Sequence, residues 1–221
     1  MTKRIAAIFL LLAALAFGVA ACGSDDDSTS SSSTSADTAN AEPVAQIDEL
    51  TGVSTTVTFD QGFVDALGQL KLTPGVVGDA TFEGGAATFP ITGGNVTYYD
   101  PAESVRPYVQ GEIDHDGSGL SLTAGKTEVE LTDFVIDPGT SELFGTVSVN
   151  GKVAAEDAKL FDLDGSTLNP LAVDDKNGTA TLEGTTVLLS DDAASLLNDT
   201  FGITDLKGGL VVGISAITVK G

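Results

Sequence analysis

Apolar residues are distributed in three different ways along this chain of 221 residues. Residues 5–21 are almost continuously apolar, with Ile8, Phe9, Leu10, Leu11, Leu12 and Leu15 behind the basic pair Lys3-Arg4. Residues 22–48 carry acids, hydroxyls and small side chains with no period. From residue 49 to the end, short apolar–polar alternations predominate, the period of half-buried strands. Residues 55–59 alternate and are β-branched. Further strands are predicted over 76–82, 87–92, 95–99, 105–114, 119–124, 126–136, 143–149, 152–154, 159–163, from 179, and 210–219. Along 126–136 the alternation runs Val129, Leu131, then Phe134, Ile136, and that change of phase at Thr132-Asp133 predicts a bulge.

Two stretches break the alternation with helical spacing. Asp60 stands as an N-cap before Phe63, Val64, Leu67 and Leu70, and this helix should end around 68–72, before Pro74. Ser190 caps a second, with Ala193, Leu196, Leu197 and Phe201 on one face. Asn150-Gly151 is the strongest short hairpin signal in the chain. Both helices follow a strand and precede a Val-Val-Gly strand start, so a duplication and a coincidence of common local units are equally open. The expected fold is mainly β: a β-sandwich or barrel of about ten antiparallel strands with two short helices at its ends or edges.

Charge sharpens the picture. The formal net charge is −22, and removal of Lys3 and Arg4 with a leader would make it more negative still. Such a surface excludes nucleic acid and attraction to anionic headgroups, both of which need basic residues. It fits a chain kept monomeric by repulsion. Cys22 is the only cysteine, so no internal disulfide framework exists.

The basic pair, the apolar run and the small residues Gly18, Ala20 and Ala21 make residues 1–21 an export leader. Val19-Ala20-Ala21-Cys22 resembles the lipobox of bacterial lipoproteins. That resemblance implies cleavage between Ala21 and Cys22, diacylglyceration of the Cys22 thiol, and anchoring on the extracytoplasmic face of the cell membrane. Two acyl chains hold where one is marginal. Residues 22–48 then read as a disordered acidic Ser/Thr-rich tether, and residues 49–221 as one β-rich extracytoplasmic domain.

Catalytic patterns are scarce. The chain has no G-x-S-x-G elbow, phosphate loop or H-E-x-x-H, and a single histidine, His115. Nucleophile–histidine machinery and a zinc site both lack material. Carboxylate pairs are available among 32 acids, and a carboxylate-dependent envelope hydrolase is therefore one alternative. Asp114-His115-Asp116-Gly117-Ser118 reads as a tight acidic turn. Asp114, Asp116 and Ser118 fall at the first, third and fifth positions of an EF-hand-like calcium loop, though its twelfth position is Gly125 rather than Glu.

Several strand segments together carry a second resemblance. Ala87-Thr88-Phe89-Pro90, Val109-Gln110-Gly111-Glu112-Ile113-Asp114-His115, Gly119-Leu120-Ser121-Leu122 and the run Leu131 to Asp137 resemble the HtaA-type haem-binding domains of actinobacterial cell surfaces. The likeness covers about residues 55–220, with an early helix, a Phe-Pro strand and a late Ala/Leu-rich helix. It implies a haem-uptake role in which a first-helix tyrosine ligates iron and a histidine supports that tyrosine. His115 falls at the histidine, whereas the first helix carries Phe63, Ala66 and Leu67. Tyr98 and Tyr99 accordingly join His115 as candidate ligand-binding residues. The leading expectation is a non-catalytic, lipid-anchored domain that binds a small ligand or a surface partner. No cofactor is required by it; haem and calcium are the cofactors to look for.

Overall fold

The computed structural model describes residues 41–221. Among them thirteen strands form one continuous sheet, and two helices accompany it. The expected mainly β, antiparallel class with two short helices is what the structure shows.

In chain order the elements are β1 (Ala45–Ile47), β2 (Gly52–Phe59), α1 (Gln61–Leu70), β3 (Thr73–Gly78), β4 (Thr81–Glu83), β5 (Ala86–Pro90) and β6 (Gly93–Tyr98). Then follow β7 (Val109–Ala124), β8 (Thr127–Asp137), β9 (Glu142–Val149), β10 (Lys152–Asp164), β11 (Ala172–Asp174), β12 (Thr179–Leu189), α2 (Asp191–Phe201) and β13 (Val211–Lys220). The spatial order is β1-β6-β7-β8-β9-β10-β12-β13-β2-β5-β4, with β11 on β12 and β3 on β7. Thr92, just past β5, donates its backbone N–H to the Asp114 carbonyl of β7 at 2.8 Å. The sheet thus curls until its two sides bond to one another, nearer a barrel than two separate sheets.

β7 is the strand that makes this curling work. Its first half pairs with β6, from Val109 to Asp114, and its second half with β3, from Ser118 to Thr123. Between the halves its register with β8 slips: His115 faces Phe134, and the next pair is Gly119 with Thr132. Residues 114–118 are therefore a bulge inside one sixteen-residue strand, not the turn expected from their composition. The physical reason is that Asp and Gly suit a bulge as well as a turn. Gly117 takes a left-handed φ of 72°, and a Cβ on Gly119 would collide with the Leu131 carbonyl oxygen. The bulge expected in β8 is present, with Asp133 at φ 53° and a register shift between Thr132 and Val135.

Other boundaries moved. Segments 152–154 and 159–163 belong to one strand, β10, whose repeated register shifts against β9 hide its continuity. Segment 76–82 divides into β3 and β4 around Gly78. β1 lies within the stretch assigned to the tether, and its Ala45, Gln46 and Ile47 pair with Tyr98, Thr97 and Val96. The two strand–helix–strand units also differ in topology: β12 and β13 pair with each other, whereas β3 turns away from β2 to join β7. The expected leader, lipobox and most of the tether lie outside the described residues.

Both helices seal the same end. Asp60 Oδ1 accepts from Gly62 N–H at 2.8 Å, and Lys71 in the left-handed region stops α1. Ser190 Oγ accepts from Ala193 N–H and donates to the Lys159 carbonyl, which ties the start of α2 to β10. Phe63 and Leu67 of α1 and Leu197 of α2 are buried with Leu122, Leu131 and Leu189. This end is a packed core. The other end is not.

Candidate functional site

The inward faces of the strands surround a cavity of about 410 Å³ to which neither helix contributes a residue, although Phe59, Leu120 and Phe161 line both it and the helix-covered core. Its wall follows from the strand period of two: Thr55 and Val57 on β2, Ile113 and His115 on β7, Ser215 and Ile217 on β13. A bulge at Gly184 changes the phase of β12, so that Ala180 and Leu182, then Thr185 and Val187, all face inward. Phe59, Phe89, Phe134 and Phe161 line the cavity, and the centroids of Phe89 and Phe161 lie 5.3 Å and 6.3 Å from that of Phe134 in edge-on contact. Among the described residues, no Asp, Glu, Lys or Arg side chain lines the cavity. For a chain this acidic, the exclusion of every such charge from one interior space is informative. The volume and apolar wall are those of a small-molecule site.

Strand ends and connections together complete the lining. Tyr98 at the end of β6 and Tyr108 just before β7 meet edge to face with centroids 6.0 Å apart. Burial, followed by the neighbouring Tyr108 and Asp100, pushes the Tyr98 phenol above its ordinary pKa, so it stays protonated. The connection 165–171 brings Leu168 and Leu171 to the cavity. It is anchored on the β12 bulge, where Thr167 Oγ1–H donates to the Gly184 carbonyl at 2.7 Å and Asn169 N–H to the Glu183 carbonyl at 2.8 Å. A side chain at Gly184 would collide with the Thr167 carbonyl oxygen. β1 forms a third part of the rim.

His115 is the most buried polar side chain of the wall, at 1 % exposure. Its Nδ1 lies 3.2 Å from the Phe134 carbonyl oxygen and its Nε2 2.8 Å from Thr55 Oγ1. A carbonyl only accepts, so Nδ1 carries the proton and Nε2 the lone pair. Thr55 must then donate its hydroxyl proton to Nε2. Burial lowers the imidazole pKa to about 4, against smaller opposing effects of the Phe134 and Ile113 backbone and of Asp116. His115 is neutral, with both nitrogens engaged.

The other sequence-derived candidates are distributed differently. Tyr98 lines the cavity, together with Tyr108; Tyr99 does not line it. Asp114 and Asp116 flank His115 on the bulge, Asp114 partly buried with its pKa raised by burial and by Asp116. Ser118 is fully buried and its Oγ–H donates to the His115 carbonyl at 3.1 Å. Among the described residues no group of three His, Cys, Asp or Glu side chains is placed to hold a metal ion. What sequence reasoning missed is Thr55 as the partner of His115, sixty residues away, and the hydroxyls of Thr185 and Ser215.

No protein-family model matches the chain, and no curated protein sequence matches it. Solved structures do. The C-terminal domain of HtaA from Corynebacterium glutamicum is similar over 79 % of this chain and 97 % of that one, with a TM-score of 0.52 and 13 % identity. The fold is HtaA-like. The N-terminal domain of the same protein aligns over 77 % of this chain and 97 % of its own, at 14 % identity and a TM-score of 0.44.

Haem is the group the family resemblance implies, and the phenols available to its iron on the cavity wall are those of Tyr98 and Tyr108. The first helix has no tyrosine and contributes nothing to the cavity wall. His115 has both nitrogens engaged inside the protein. Among the described residues, no Lys or Arg stands in the lining to receive a carboxylate.

Proposed function

We propose that this domain is a non-catalytic binding module that takes a small apolar molecule into the hollow end of its sheet. The observation that carries the proposal is the charge-free cavity of about 410 Å³, rimmed by two tyrosines and by two leucines on an anchored connection. Water gains few partners there, so an apolar occupant recovers the contacts an empty space forgoes. A titration with the neutral dye N-phenyl-naphthylamine tests it: emission should rise saturably, and Leu182→Trp, which fills the space, should abolish the rise. A signal unchanged by that substitution places the dye elsewhere and removes the reading.

The HtaA-like fold favours a second reading, in which the apolar molecule is haem. The rings of Phe89, Phe134 and Phe161 suit a flat macrocycle, and Tyr108 and Tyr98 at the rim are the remaining oxygen donors. Mixing the domain with haemin and recording the Soret band decides between the two. A shift that disappears in the Tyr98→Phe, Tyr108→Phe double variant supports haem; an unshifted band leaves the first reading alone.

The sequence in front of the domain adds the address. We take Cys22 as a lipidated N-terminus that holds the domain outside the membrane on a tether. Cys22→Ser should then leave an uncleaved precursor, and fatty-acid labelling of that variant would contradict the assignment.

A further inference from the structure

The cavity wall holds one polar device whose direction is fixed. The Phe134 carbonyl sets the His115 tautomer, the His115 lone pair takes the Thr55 hydroxyl proton, and Thr55 Oγ1 is left with acceptor capacity only. Thr55 is 4 % exposed and faces the cavity. From these contacts, and resting on the reading of the cavity as the ligand site, we propose that the occupant is an uncharged lipid bearing a hydroxyl group, which it donates to Thr55 Oγ1.

Each part of this specification excludes a class. A carboxylate or phosphate ligand would enter a space that no described Lys or Arg lines and meet an oxygen lone pair, which is unfavourable on both counts. An ammonium ligand would donate to Thr55 but would leave its charge without a counter-ion among the lining residues. A pure hydrocarbon would fill the space and gain nothing from the buried His115–Thr55 pair. An alcohol can donate to the remaining acceptor site of Thr55 Oγ1 and has an apolar body for the rest of the wall. Thr185 and Ser215, directly paired across β12 and β13 and also lining the cavity, extend the hydroxyl surface beside Thr55's strand.

Displacement of N-phenyl-naphthylamine by three chains of equal length separates the possibilities: lauryl alcohol, its methyl ether and laurate. The alcohol should displace the dye with an affinity roughly tenfold above that of the ether, the worth of one neutral hydrogen bond, and laurate should be weakest. Thr55→Val keeps the side-chain shape and removes the oxygen, and alcohol and ether should then become equal. Thr55→Ser should retain the preference. Equal affinities in the unmodified domain, tightest binding by laurate, or a preference that survives Thr55→Val would overturn the proposal and leave the cavity reading standing. Failure of the dye itself to bind overturns both.

Discussion

His115 sits in a contest between burial, which favours the neutral ring, and its nearby backbone carbonyls and Asp116, which favour the cation. Burial wins, and the folded-state pKa is about 4 against about 6.5 in an unfolded chain. Between those values the unfolded state binds a proton that the folded state refuses. Stability is therefore complete above about pH 6.5, declines as pH falls toward about 4, and levels off below, by a total on the order of 3 kcal/mol. Asp114, whose pKa is raised, acts in the opposite direction near the acid end. Urea unfolding of the domain across this interval should show the decline, and His115→Gln should flatten it while lowering stability at neutral pH. An identical slope in that variant would mean that another group titrates. The imidazole itself was conspicuous in the sequence as the single histidine. Its role was not, because the residue that orients it arrives from β2 through tertiary structure.

At the scale of elements, much was legible. Asp60, Ser190 and Asn150-Gly151 each act through neighbours one to three residues away, and all three do in the structure what their local chemistry dictates. Ser190 illustrates how much rests on one such residue, since its hydroxyl serves the helix and the sheet at once. Ser190→Ala should cost about 1–2 kcal/mol in a chemical denaturation experiment, and Ser190→Asp should recover part of it by restoring the acceptor alone. What local chemistry misread was β7, whose Asp-Gly sequence satisfies a turn and a bulge equally well. Only the presence of two successive partners, β6 and then β3, decides between them. β1 escaped for a related reason: three residues carry no period, and their order comes from the β6 edge they cover.

For the molecule as a whole, the decisive property was invisible in the alternation of apolar residues. Inward side chains look alike in a sequence whether they meet a helix or an empty space. At one end of this sheet Phe63, Leu67 and Leu197 occupy the interior; at the other nothing of the described chain does. A larger side chain on that wall would gain dispersion contacts. Ala180→Leu, on the cavity wall, should raise the melting temperature by a few degrees, corresponding to about 0.5–2 kcal/mol, and weaken dye binding. A variant that gains stability while binding the dye as before would show that the space and the binding site are different.

The shared strand β7 divides the molecule into halves that need not open together. The rim strands β1 and β6 attach to its first half, the sealed end to its second, and the slip in register between His115 and Gly119 separates them. Hydrogen exchange should therefore fall into two classes, with amides of β1 and β6 exchanging through local opening and those of β8, β9 and the later half of β7 only through global unfolding. Lauryl alcohol should slow the first class far more than the second. On the proposed reading, parting β1, a three-residue strand paired with β6, would admit a guest while the rest of the backbone stays protected.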